Sequence, residues 1–230
     1  NQGDFKFKDI SKESGIEALN KWNTGIALAD INNDGFLDIY VCSAMLTKEE
    51  DKKNLLFINQ GLDKNNVPHF KNMAKEYGLE ESGNSMGAAF FDYDKDGLLD
   101  LYVLNNVDIH VLPANYRKKI TDGSALSNDK LYRNNGDGTF KDVTSEAGIT
   151  IEGYGLGLAI SDLNYDGWPD IYISNDYLTN DILYINNQDG TFKNQIKENI
   201  KHQSKFSMGN DISDFNKKEM AMVFPIVKLD

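Results

Sequence analysis

Three nine-residue stretches gather oxygen-bearing side chains at one fixed spacing: Asp30-Ile31-Asn32-Asn33-Asp34-Gly35-Phe36-Leu37-Asp38, Asp92-Tyr93-Asp94-Lys95-Asp96-Gly97-Leu98-Leu99-Asp100 and Asp162-Leu163-Asn164-Tyr165-Asp166-Gly167-Trp168-Pro169-Asp170. Positions 1, 3, 5 and 9 are Asp or Asn in all three, and position 6 is Gly. That pattern suits a hard cation. Calcium takes about 6–8 oxygen ligands at roughly 2.3–2.6 Å, and side chains at positions 1, 3 and 5 converge when a loop wraps an ion. Glycine at position 6 permits the sharp bend. The candidate side-chain ligands are Asp30, Asn32, Asp34 and Asp38, then Asp92, Asp94, Asp96 and Asp100, then Asp162, Asn164, Asp166 and Asp170. The backbone carbonyls of Phe36, Leu98 and Trp168, at position 7, are expected to point inward.

Other chemistries fit less well. An EF-hand needs a bidentate Glu at position 12 and flanking helices. Position 12 here is Val41, Val103 or Ile173, and the flanks read as strands. Magnesium keeps its waters and avoids dedicated protein cages. Zinc would bring Cys or His to each loop, and none lies there. One Asp-Asn-Gly loop alone would read equally as a turn; three in the same place in three repeats favour an ion. The loops hold three, four and three carboxylates, and such crowding without a cation raises the pKa of some of them. About three bound Ca²⁺ would move the formal charge from −12 to −6, so part of the acidity reads as counter-charge for metal.

The elements that position the loops repeat with them. Phe7-Lys8-Asp9-Ile10, Phe70-Lys71-Asn72-Met73 and Phe140-Lys141-Asp142-Val143 each open a unit, and Phe192-Lys193-Asn194 opens a weaker fourth. A small-residue stretch follows, with Gly25/Ala27, Gly87/Ala89 and Gly157/Ala159 in register, as expected for strands crowded near an axis. Then come the Asp loop, a run such as Ile39-Tyr40-Val41, and a last strand such as Leu131-Tyr132-Arg133-Asn134. Short β-branched and aromatic runs bounded by Asn, Asp and Gly are strand signals. Asn135-Gly136-Asp137-Gly138-Thr139 and Asn187-Gln188-Asp189-Gly190-Thr191 read as tight hairpin turns. Ser11–Gly15, Ala74–Gly78 and Ser145–Gly148 are long enough only for a helical turn.

About four strands per unit predict propeller blades. The expected fold is all-β, a partial β-propeller of about three to three-and-a-half four-stranded blades. The units span approximately 5–61, 68–136 and 138–188, with a partial one at 190–216 and a divergent tail at 217–230. In the fourth unit the loop begins at Asp214 but then carries Lys218, Glu219 and Met222 where Asp, Gly and Asp are expected. Asn1-Gln2-Gly3 occupies the place of Asn59-Gln60-Gly61, so the chain is expected to begin inside a repeat boundary, with any leader before it.

These loops, each followed by a β run, resemble FG-GAP or VCBS-type repeats. Phe90-Phe91-Asp92-Tyr93-Asp94-Lys95-Asp96-Gly97, Asp166-Gly167-Trp168-Pro169-Asp170-Ile171-Tyr172 and Asn175-Asp176 are similar to the cartilage-acidic-protein-like group of secreted or surface proteins common in Bacteroidetes-type bacteria. The resemblance implies integrin-α-like blades, a seven-bladed family ring and an extracellular or cell-surface location. Half a ring would call for further blades, a partner or self-association to cover its open ends.

Composition narrows the function. A net charge of −12 disfavours nucleic acid and anionic membrane surfaces. No apolar run approaches the ~20 residues of a membrane-spanning helix. The lone Cys42 sits in a strand-like run and reads as a small buried hydrophobe. His69, His110 and His202 are scattered, and no nucleophile elbow or phosphate loop appears, so the expectation is not an enzyme but a calcium-stabilised binding or adhesion scaffold for a protein or glycan. A lectin, or the propeller part of a secreted carbohydrate-active enzyme, is the alternative. The insertion from Asn106 to Asp129, with Asp108, His110, Tyr116, Arg117, Lys118 and Lys119, is a candidate ligand loop, and Trp22, Tyr77 and Tyr154 are candidates for sugar stacking or for the core.

Overall fold

The computed structural model describes residues 3–17, 20–107, 118–176, 179–204, 206–213 and 221–223. Three four-stranded antiparallel sheets follow one another along the chain. The first holds β1 (Asn23–Ala29), β2 (Asp38–Ser43), β3 (Leu55–Leu62) and β4 (Pro68–Asn72). The second holds β5 (Asn84–Phe91), β6 (Asp100–Asn106), β7 (Lys130–Asn134) and β8 (Phe140–Asp142). The third holds β9 (Gly155–Ser161), β10 (Asp170–Asn175), β11 (Ile182–Asn186) and β12 (Phe192–Asn194). Within each sheet the strands pair in chain order, as propeller-like blades 1, 2 and 3. Among the described residues there are four single-turn helices: α1 (Ser11–Ser14) before β1, and α2 (Glu49–Lys52), α3 (Ala74–Tyr77) and α4 (Ile196–Asn199) between strands. Helix α1 ends on Gly15 and α3 on Gly78, both left-handed.

The sheet and the sequence repeat are out of phase by one strand. Phe70, Phe140 and Phe192, which open the sequence units, lie on β4, β8 and β12, the outermost strands of the blades before them. The hairpin turns therefore close a blade rather than link two. Their counterpart Phe7 has no third strand beside it among the described residues and is 75% exposed.

The middle strands are buried on both faces and split their side chains between two interfaces, as a period of two requires. On β6, Leu101 and Val103 pack with Tyr40, Leu56 and Ile58 of blade 1. Tyr102 and Leu104 pack with Ile171, Ile173 and Tyr184 of blade 3. The first strands lie side by side: β1 neighbours β5, and β5 neighbours β9. A Cβ on Gly25 would come 2.7 Å from the Gly87 Cα, and one on Gly157 would come 2.8 Å from the Gly209 Cα, so those glycines are required by close approach. Gly87 itself has room for a Cβ.

After blade 3, β13 (Asp211–Ser213) pairs with β14 (Ala221–Val223). In the blades, the residue before each Asp loop pairs nine positions on, as in Ala29 with Asp38. Ser213 pairs eight positions on, with Ala221, one position fewer than in the blades. Most of the divergent tail, including Lys218 and Glu219, lies outside the described residues.

Candidate metal centre and the groove beside it

Each Asp loop joins the first two strands of a blade, and the pairs Ala29–Asp38, Phe91–Asp100 and Ser161–Asp170 close it. The three loops share one backbone course. Position 4 is left-handed in each (Asn33, Lys95 and Tyr165, φ 58°, 58° and 63°), and so is position 6 (Gly35, Gly97 and Gly167, φ 88°, 89° and 87°). A β-branched residue would be strained at either place.

The carboxylates hold this course by accepting backbone N–H groups. Gly35, Gly97 and Gly167 donate to Oδ2 of Asp30, Asp92 and Asp162 at 2.8, 3.0 and 2.8 Å. Phe36, Leu98 and Trp168 donate to Oδ1 of Asp34, Asp96 and Asp166 at 2.8, 2.9 and 2.8 Å. Position 9 is fully buried in all three loops and ties the loop to the third strand. Asp100 accepts from Tyr93 N at 3.2 Å and Asn134 N at 2.9 Å. Asp38 and Asp170 accept the equivalent pairs, from Ile31 and Asn59, and from Leu163 and Asn186.

The loops differ at position 3. In loops 1 and 3 the amide of Asn32 or Asn164 donates to Oδ2 of Asp34 or Asp166, at 2.9 Å each. In loop 2 the residue is Asp94. There, one oxygen each of Asp92, Asp94 and Asp100 lie within 4.8 Å of one another, an acidic triad that could hold a metal ion. Oδ1 of Asp92 is buried without a hydrogen-bond partner, and the donor set is all oxygen, so these residues fit a hard cation. Burial pushes the Asp100 carboxyl up to about 7, with Asp94 and Asp96 adding to the rise against the two backbone donors. Burial raises Asp38 and Asp170 too.

Two sets of positions escaped the sequence reading. Position 2 of each loop is apolar and hooks into a core: Ile31 packs with Phe140 in the blade 1–2 cluster, Tyr93 stacks 6.0 Å from Phe192, and Leu163 joins the blade 3 cluster. The repeated apolar residue between the oxygen-bearing side chains of positions 1 and 3 was the available signal. The second set precedes each third strand. Asn54, Asp129 and Asp181 accept the N–H of Ser43, Asn105 and Asn175, at 2.8, 2.8 and 2.9 Å. They also bond the buried tyrosines: Asn54 donates to the Tyr40 hydroxyl at 3.0 Å, whereas Tyr102 and Tyr172 donate to Asp129 and Asp181 at 2.8 and 2.7 Å.

A groove of about 390 Å³ opens between blades 2 and 3 beside loops 2 and 3, lined among others by Arg133, Lys141, Glu146, Trp168, Gln188 and Thr191. Lys95 lies 4.6 Å over the Trp168 ring. Ala147 also lines the groove, where the preceding unit has Tyr77, whose ring packs 6.4 Å from Phe140. Trp22 is exposed, and Tyr154 is half-buried with its N–H on Asn175. Cys42 is fully buried, and that burial pushes its thiol up to about 12. In the insertion, Asp108, His110, Tyr116 and Arg117 lie outside the described residues; Lys118 and Lys119 are exposed. Its return leg is pinned where Glu152 N donates to Ile120 O at 3.1 Å.

The fold and loops define an all-β repeat protein, and the chain carries an FG-GAP-like repeat at residues 107–173. It is similar to cartilage acidic protein 1 of Xenopus tropicalis, with 25% identity over 175 residues, covering 76% of this chain. The chain spans 24% of the length of that relative. Among solved structures it is similar to a lectin of Agrocybe aegerita, described as recognising non-reducing terminal N-acetylglucosamine. There the identity is 18% and the TM-score 0.48, over 97% of this chain and 53% of that one.

Proposed function

We propose that the chain is a calcium-stabilised binding scaffold, working outside the cell or at its surface, for a protein or glycan ligand. The observation that carries this reading is one loop built three times with the same left-handed positions and the same carboxylate-to-backbone bonds. Asp30, Asn32, Asp34 and Asp38, and their counterparts in loops 2 and 3, would hold the ions, with the carbonyls of Phe36, Leu98 and Trp168. Bound calcium would neutralise the crowded acids and stiffen the loop end of each blade. The groove beside Trp168 favours a glycan, since an aromatic face flanked by amide, hydroxyl and charged groups suits a sugar.

Blade 1 offers a further surface. Ile26 and Leu28 are 64% and 59% exposed, while the residues in the same places on blades 2 and 3 (Ala88 and Phe90, Leu158 and Ile160) pack against the preceding blade. A further blade or a second copy would cover that face.

Titration calorimetry of the chelated protein should show about three Ca²⁺ bound, and chelation should lower Tm, because a ligand that binds only the folded state stabilises it. Absence of both effects would sink the calcium reading. Glycan-array binding with and without chelator separates a lectin from a protein-binding scaffold.

A further inference from the structure

Loop 2 carries a cation of its own. Arg133, on β7, places Nε 2.9 Å from Asp94 Oδ2 and Nη2 3.1 Å from Asp96 Oδ2. These carboxylates are positions 3 and 5 of the loop, two of its candidate ligands. The residues in the same place on the other third strands are Ile58 and Ile185, which bring no charge. Loop 2 is also the loop with the extra carboxylate, Asp94 where the others have Asn32 and Asn164. The added negative charge in loop 2 and the added positive charge on the neighbouring strand β7 therefore face each other. The guanidinium occupies one oxygen each of Asp94 and Asp96 and repels a second cation.

We propose that Arg133 is an internal competitor for the metal at loop 2, making it the weakest of three sites that its four carboxylates would otherwise make the tightest. The inference rests on the calcium reading of the loops. A divalent ion entering loop 2 must move the guanidinium or sit beside it, and moving it turns Arg133 toward the groove that it already lines. Calcium level would then set the charge presented there, while loops 1 and 3 stay loaded.

The test follows the backbone amide signals of Gly35, Gly97 and Gly167 by NMR during a calcium titration of the chelated full chain. Each glycine reports its own loop. In the wild type, Gly97 should respond last, at calcium concentrations roughly tenfold or more above the other two. In Arg133→Ile, which copies blades 1 and 3, Gly97 should move to first. Arg133→Gln, which keeps a donor without the charge, should shift it the same way. If Gly97 titrates with or before the others in the wild type, or stays in place in both variants, the competitor role is wrong while the calcium reading stands. If no glycine responds, both fall.

Discussion

The two ends of each second strand are pinned by the same kind of buried residue, one beside a water-facing loop and the other between blades. At the start of β6, Asp100 accepts two backbone N–H groups next to a loop that opens to water. At its other end, Asp129 accepts one backbone N–H and the Tyr102 hydroxyl deep between blades. Blade 3 repeats the arrangement with Asp170 and Asp181, and blade 1 with Asp38 and Asn54. The wet end keeps Asp in every blade. The dry end has Asp in two blades and Asn in one, so a neutral side chain of the same hydrogen-bonding shape can serve there.

The largest expected effect comes from breaking the wet end at its anchor. Asp100→Ala leaves the N–H groups of Tyr93 and Asn134 without an acceptor, at about 1–3 kcal/mol each. Urea unfolding should show a loss of about 3 kcal/mol, and a loss below about 1 kcal/mol would mean that the loop is held by its other bonds.

The dry end is tested by pH. Burial pushes the Asp129 carboxyl up to about 7, against the backbone N–H of Asn105 and the Tyr102 hydroxyl. The ordinary value is about 3.9. Between those values the folded chain holds a proton that the unfolded chain has released. Stability from this group is therefore complete below about pH 4 and is lost as pH rises through about 7. Asp129→Asn copies Asn54 and removes the titration. At about pH 8 the variant should be more stable than the wild type by about 1 kcal/mol or more, with the gap closing toward about pH 4. Parallel stability curves for the two proteins would show that Asp129 is ionised in the fold.

The smallest effect sharpens the contrast from the wet side. Lys95→Ala removes the contact between Lys95 of loop 2 and the Trp168 ring of loop 3, which at an exposed site is worth about 0.5–1 kcal/mol. Tryptophan fluorescence should shift while the urea midpoint barely moves. A large midpoint change would make this contact part of the blade 2–3 interface.

The loops were legible in the sequence because their chemistry depends on short spacing: Asp30 to Asp38 is a local pattern with its own bend at Gly35. So was the strand content, since Ile171-Tyr172-Ile173 reads as a buried strand without reference to anything distant. The sheet boundary was not legible. Phe140-Lys141-Asp142 sits beside the next unit in sequence, but its hydrogen bonds go back to Tyr132, Arg133 and Asn134. Pairing across a tight turn is decided by register, and a repeat can be cut at any phase. In the sequence Arg133 reads only as part of a strand; its meeting with Asp94 and Asp96 needs β6 and β7 side by side. Asn54, Asp129 and Asp181 were visible as a recurring Asn or Asp before each third strand, but their tyrosine partners come from another strand.

The one-strand offset also bears on how such a chain could change length. The second and third repeats each donate their opening strand to the blade behind and the next three to their own. A tandem duplication or deletion between equivalent codons of these repeats, wherever the breakpoints fall, therefore leaves each blade with four strands and each blade interface with its usual partner. A blade could be gained or lost in one genetic step without a half-built sheet in between. A proteolytic nick between Leu62 and Pro68, by contrast, would sever β4 from the turn that delivers it to β3 and leave it joined to the chain only through blade 2, with its pairing to β3 no longer closed by a turn.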